Sequence, residues 1–115
     1  MRRDARALLH DILQAADDIA AFTDMSLDAY LANKPFRLAV ERQFTVMGEA
    51  LNALSRFDPA LAERIPEMSR LIGFRNVLIH RYETINQSTV YDHARNSLPA
   101  FRAKIATLLA KLDRA

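Results

Sequence analysis

The chain has 115 residues, half of them apolar and about a quarter charged, and it lacks cysteine. That length supports one domain around one core, and without thiols there are neither disulfides nor thiolate metal sites. No apolar run approaches the roughly eighteen residues a membrane helix needs. The formal charge of +2 rests on thirteen arginines and three lysines, scattered rather than gathered into a nucleic-acid-binding tail.

Arginine binds phosphate through a planar, permanently charged fork, so the composition permits an RNA partner without demanding one. Two glycines and four prolines in the whole chain point to a protein that is mostly helix. From Arg2 to Phe22, Leu8, Ile12, Ala15, Ile19 and Phe22 recur at three- and four-residue steps, the pattern of an amphipathic helix. The N-terminus begins basic, like a signal peptide. Asp4, Asp11, Asp17 and Asp18 interrupt any apolar segment there, so the chain is expected to remain in the cytoplasm.

"DMSLDAYLANKP" then predicts a break and a short helix capped by Ser26 or Asp24, stopping before Pro35. A long helix follows from about Pro35 to Phe57, striped by Phe36, Val40, Phe44, Met47, Leu51 and Leu54. Asp58 and Pro59 cap a brief helical turn, and Pro66 closes the connection. The next helix spans roughly Glu67 to Arg81. After "ETINQS", Ser88 or Thr89 starts a final helix to about Leu112, with Pro99 expected to kink it. Residues 1–115 therefore read as one all-α domain, an antiparallel bundle of four to five helices.

The helix from Glu67 carries the unusual residues. With Arg75 at zero and 100 degrees per residue, Leu71, Leu78, Ile79 and Tyr82 lie within about 40 degrees of it. An arginine thus sits in the middle of an apolar face. Ser69, Gly73, Asn76 and His80 form one narrow polar strip at about 100 to 160 degrees. Phe74 and Val77 extend the apolar surface round the back, so this helix is expected to be buried on several sides, one against a second chain. Gly73 would let a helix or ligand approach the backbone. A buried arginine is too costly to leave unpaired, so Arg75 either pairs with a carboxylate such as Glu41 or Glu49 or lines a site. His10 and His93 have no companions at metal-ligand spacing, and no metal or other cofactor is expected. Tyr30 and Tyr91 read as packing or surface residues.

The spacing of Arg75 and His80 alone is a weak signal, since Arg3 and His10 repeat it loosely on an ordinary helix. The longer string is more specific. "RNVLIHRY" resembles the Arg-Asn-x-Leu-x-His-x-Tyr signature of HEPN-domain proteins of the HepT toxin type. "SLDAYLANKPFRLAVERQFTVMGEALNALS" and "IGFRNVLIHRYETINQSTVYD" extend the likeness from about Ser26 to Leu112. Arg81 departs from it, standing where many relatives carry glycine.

The resemblance implies a homodimer of helical bundles whose motifs face each other across a two-fold cleft. It implies a metal-independent endoribonuclease acting on RNA, the toxin of a type VII-like toxin–antitoxin system, with Arg75 and His80 as catalytic residues. It further implies a minimal nucleotidyltransferase antitoxin that adenylylates Tyr82. From the residues themselves, Asn76 would orient the imidazole or the phosphate. The alternative within the same fold is a non-catalytic module that binds RNA or a nucleotide and docks a partner.

Overall fold

The structure, a computed structural model, describes residues 4–81 and 85–114. Among these, every regular element is helical. The first helix, α1 (Ala5–Phe22), starts where the Asp4 carboxylate accepts the Ala7 N–H at 2.8 Å, satisfying a donor that the first turn leaves open. The expected start at Arg2 lies outside the described residues. Of the two candidate caps for the short second helix, α2 (Leu27–Ala32), Ser26 takes the role through its hydroxyl and the Ala29 N–H. Asn33 likewise caps α3 (Lys34–Phe57), with Pro35 in the first turn, where its missing N–H costs nothing. Asp58 caps the single turn α4 (Pro59–Ala62).

Helix α5 (Met68–His80) is followed by α6 (Gln87–Asp92), a π turn (His93–Ser97) and α7 (Leu98–Arg114). The last helix is therefore not one rod starting at Ser88 or Thr89. Asn86 caps it, its side-chain oxygen accepting from Thr89 N–H at 3.1 Å. The irregularity expected at Pro99 falls just before it, where the Leu98 N–H reaches back five residues to the His93 carbonyl. Proline offers no N–H to the ladder and crowds the carbonyl four residues earlier, and a wider turn accommodates both.

The core is a single cluster. Leu9, Ile12 and Ile19 of α1, Met47 and Leu51 of α3 and Ile105 of α7 are fully buried in it. Each keeps the three- or four-residue spacing that puts it on its helix's inner face. Ion pairs Arg6–Asp113 and Arg102–Asp17 link opposite ends of α1 and α7, so these helices run antiparallel. Both pairs are exposed and mark register more than they add stability. Helix α3 is central, packing α1 on one side and α5 on the other. Among the described residues, no helix is long and apolar enough to cross a membrane.

Of the two readings left open for Tyr30 and Tyr91, the structure shows packing. Tyr30 is fully buried beside Tyr91, whose hydroxyl donates to the Met25 carbonyl at 2.7 Å. The Tyr30 hydroxyl donates to Gln87 Oε1 at 3.3 Å, and Gln87 Nε2 donates to Glu41 Oε2 at 2.8 Å. This chain of bonds ties α6 to α2 and α3 just beyond the end of α5.

Candidate active site

Helix α5 runs antiparallel to α3, with Arg75 crossing α3 at Gly48. A Cβ built on Gly48 would overlap the Cβ of Arg75 and lie 3.0 and 3.1 Å from its Cγ and Cδ. Gly48 is thus the residue that admits α5 at this height. Gly73, expected to admit a neighbour, has open space above it among the described residues.

The stem of Arg75 lies in this seam, and among the described residues its buried Nε has no hydrogen-bond partner. Neither Glu41 nor Glu49 pairs with it: Glu41 is engaged by Gln87, and Glu49 is exposed. Its terminal Nη1 instead donates to Oδ1 of Asn76 at 2.8 Å. Asn76 stands about 100 degrees round the axis from Arg75, and His80 about 140. The bond therefore carries the guanidinium from the seam toward the polar strip where Asn76 and His80 are exposed, one turn apart.

Helix α5 keeps α-helical geometry to its end, the Arg81 N–H bonding the Val77 carbonyl at 2.8 Å. No distortion turns His80 back toward Arg75. Tyr82 lies outside the described residues. Burial on several sides is not met within one chain: only Met68 and Leu78 of α5 are buried, while Val77 and Ile79 are 36 and 40 % exposed. On α3, Leu38 is 53 % exposed. Because the two helices are antiparallel, Leu38, Ile79 and the Asn76–His80 strip all open on the same side of their seam.

On the other flank of α5 lies a cavity of about 270 Å³, walled by Phe44, Phe74, Leu98 and Phe101. It was not legible in the sequence, because its walls come from helices far apart in the chain. Glu67 also lines it and is paired with Lys104, whose Nζ lies 2.9 Å from both carboxylate oxygens. Burial pushes the Glu67 carboxyl up, but that hydrogen bond and the charges of Lys104 and Arg70 hold it below its ordinary value. Among the described residues, no group of three His, Asp or Glu side chains is placed to hold a metal ion.

The site as assembled offers a guanidinium turned outward, an amide that holds it and an imidazole one turn away. Such a set suits an anionic, phosphate-bearing ligand. The family model described as Ribonuclease HepT-like matches residues 12–108. Three proteins of Methanocaldococcus jannaschii are similar over nearly their whole length. Putative RNase MJ0125 is 32 % identical, covering 97 % of both chains. Putative RNase MJ1216 is 30 % identical and Putative RNase MJ0127 38 %, each alignment covering 97 % of this chain and 93 % of the relative. No solved structure matches the chain. With the match running from α1 to α7 and including the Arg75–His80 helix, the chain belongs to the HepT-like ribonuclease family of HEPN proteins.

Proposed function

We propose that this protein is a metal-independent endoribonuclease that works as a two-fold homodimer, with Arg75 and His80 as its catalytic residues and Asn76 in support. The observation that carries the reading is the Arg75–Asn76 bond, which turns a half-buried guanidinium toward the strip bearing His80. Family membership supports a ribonuclease-type activity, and the relatives named as RNases agree with it.

Arg75 and His80 point about 140 degrees apart on one helix, which favours a site shared between two chains. A symmetric pair brings two copies of each residue to one cleft. The exposed Leu38 and Ile79, beside the strip, supply apolar surface for that contact. In the reaction, His80 of one protomer takes the proton of the ribose 2′-hydroxyl as its oxygen attacks the adjacent phosphorus. Arg75 balances the charge growing on the non-bridging oxygens. The bond from phosphorus to the 5′-oxygen breaks, and His80 of the partner subunit protonates the leaving oxygen. The products are a 2′,3′-cyclic phosphate and a 5′-hydroxyl, and DNA is not cut.

The same reading makes the protein the toxin of a toxin–antitoxin pair. A minimal nucleotidyltransferase antitoxin transfers AMP from ATP to the Tyr82 phenolic oxygen and releases pyrophosphate. The added phosphodiester opposes substrate phosphate at Arg75 by charge and bulk.

The test is incubation of purified protein, shown unmodified at Tyr82 by intact mass, with total RNA in EDTA beside His80→Ala. Cleavage by the wild type alone, leaving cyclic phosphate ends, is expected. Cleavage that survives in His80→Ala, or that EDTA abolishes, rejects the mechanism.

A further inference from the structure

We propose that the cavity between α5 and α7 is a binding pocket for one unpaired nucleobase of the RNA strand cut at the neighbouring strip. The proposal rests on the ribonuclease reading above and adds to it the place where the substrate's sequence is read.

The shape fits a single ring system. At about 270 Å³ the cavity falls just below the usual range for whole small-molecule ligands, roughly 300–1,000 Å³. Its walls are aromatic: Phe44 and Phe74 meet edge to face with centroids 5.2 Å apart, and the His93 ring lies 6.5 Å from Phe74. Base–aromatic stacking is sequence-tolerant in itself and strengthens binding by roughly five- to a hundredfold per base. Selectivity needs polar groups at the edge, and the π turn supplies them. His93 and Ser97, its first and last residues, both line the cavity. π turns set into α-helices are frequent at functional sites.

The path from the cleavage strip is also marked. Gly73 stands at the edge of the strip, and Arg70 lies beyond it on the outer side of α5, where it lines the cavity. Among the described residues nothing lies within 4 Å of a Cβ built on Gly73, so a strand can cross bare backbone there. Arg70 then stands at the rim with a cation for the next phosphate. Glu67, the carboxylate on the lining, is held by Lys104, which offsets its repulsion of phosphate. An apolar peptide would use the walls but neither the polar edge nor the arginine. A splayed base of single-stranded RNA uses all three.

The test compares wild type with Ser97→Trp and Phe74→Leu. Ser97 is exposed, so an indole there fills the cavity from its mouth without entering the core. Phe74→Leu keeps apolar bulk and removes a stacking face. Each protein is given a randomised single-stranded RNA pool, the cut ends are sequenced, and KM and kcat are measured on the best substrate. Melting curves check folding.

The wild type is expected to prefer one base at one position flanking the cut. Ser97→Trp is expected to lose that preference and raise KM about tenfold with a smaller change in kcat, and Phe74→Leu to shift the same way. Unchanged preference and KM in folded variants would overturn the pocket while leaving the nuclease standing, as would a wild type with no preference. If the wild type cuts no RNA, anisotropy with labelled homopolymer RNAs decides separately. Binding weakened about tenfold in Ser97→Trp keeps the pocket without the nuclease, and equal or no binding removes both.

Discussion

Nη1 of Arg75 donates to Oδ1 of Asn76 at 2.8 Å, between two residues adjacent in sequence but about 100 degrees apart on their helix. Through this bond Asn76 holds a cation rooted in the α3–α5 seam toward the solvent side where His80 stands. Asn76→Ala frees that guanidinium at an exposed position, so stability should change by no more than about 0.5 kcal/mol. Cleavage should fall about ten- to a hundredfold, because orientation of the charged group is lost. Asn76→Asp should hold Arg75 more firmly yet also lower activity, since a carboxylate neutralises the charge offered to phosphate. Cleavage rates and melting curves check this together, and wild-type rates in Asn76→Ala would contradict the assignment.

Gly48 sets how closely α5 approaches α3. Alanine there should gain about 1 kcal/mol of helix propensity. The new methyl, however, meets the Cβ of Arg75, which is fixed to the backbone and cannot swing away as a side-chain tip would. Overpacking of this kind costs about 1–3 kcal/mol. Gly48→Ala is therefore expected to be destabilising overall, by roughly 0–2 kcal/mol, and to impair cleavage by shifting α5. Denaturant midpoints and activity test it, and a stabilised, fully active variant would show that the seam opens freely.

The Tyr30 hydroxyl is predicted to mark alkaline unfolding. Burial, and secondarily the charge of Glu41, push its pKa up to about 12, against a smaller lowering by Arg37. With the folded value raised, its contribution to stability is whole below about pH 10 and is lost as pH climbs toward 12. A tyrosinate absorbance step near the upper end of that window should coincide with loss of helical circular dichroism. Tyr30→Phe should remove the step, at a cost of about 1 kcal/mol from the Gln87 bond. A Tyr30 step well below the unfolding transition would contradict the buried placement.

Glu67 behaves in the opposite sense. Its carboxyl is held below the ordinary value by Lys104, so the pair's contribution is present above about pH 4.5 and fades as pH falls through the lowered pKa. Urea midpoints measured from about pH 6 down to about pH 3 should drop more for wild type than for Glu67→Gln. Equal slopes would mean that this clamp between α5 and α7 adds nothing measurable, the usual outcome for pairs open to solvent.

Much of the fold was legible in the sequence because it is written in local terms. The three- and four-residue stripes of α1, α3 and α7 name their buried faces, and Ser26 and Asp58 announce helix starts through side-chain oxygens that bond N–H groups three residues on. The polar strip of α5 also follows from spacing, and the motif from Arg75 to Tyr82 by itself pointed to the family. Asn86 displaced Ser88 and Thr89 as the last cap because several nearby residues could serve, and local chemistry does not rank them finely.

What only the tertiary structure decided concerns distances between segments far apart in the chain. Gly48 and Arg75 are separated by 27 positions, and nothing local to either shows that a missing side chain in one makes room for the stem of the other. The cavity needs Phe44, Phe74 and Phe101 from three helices, each of which alone looks like ordinary core. The guanidinium's direction depends on which side of the α3–α5 seam is blocked. The faces of the helices follow from the residues alone because periodicity is local; seams, cavities and the aim of a side chain arise where faces meet, and that is a property of packing.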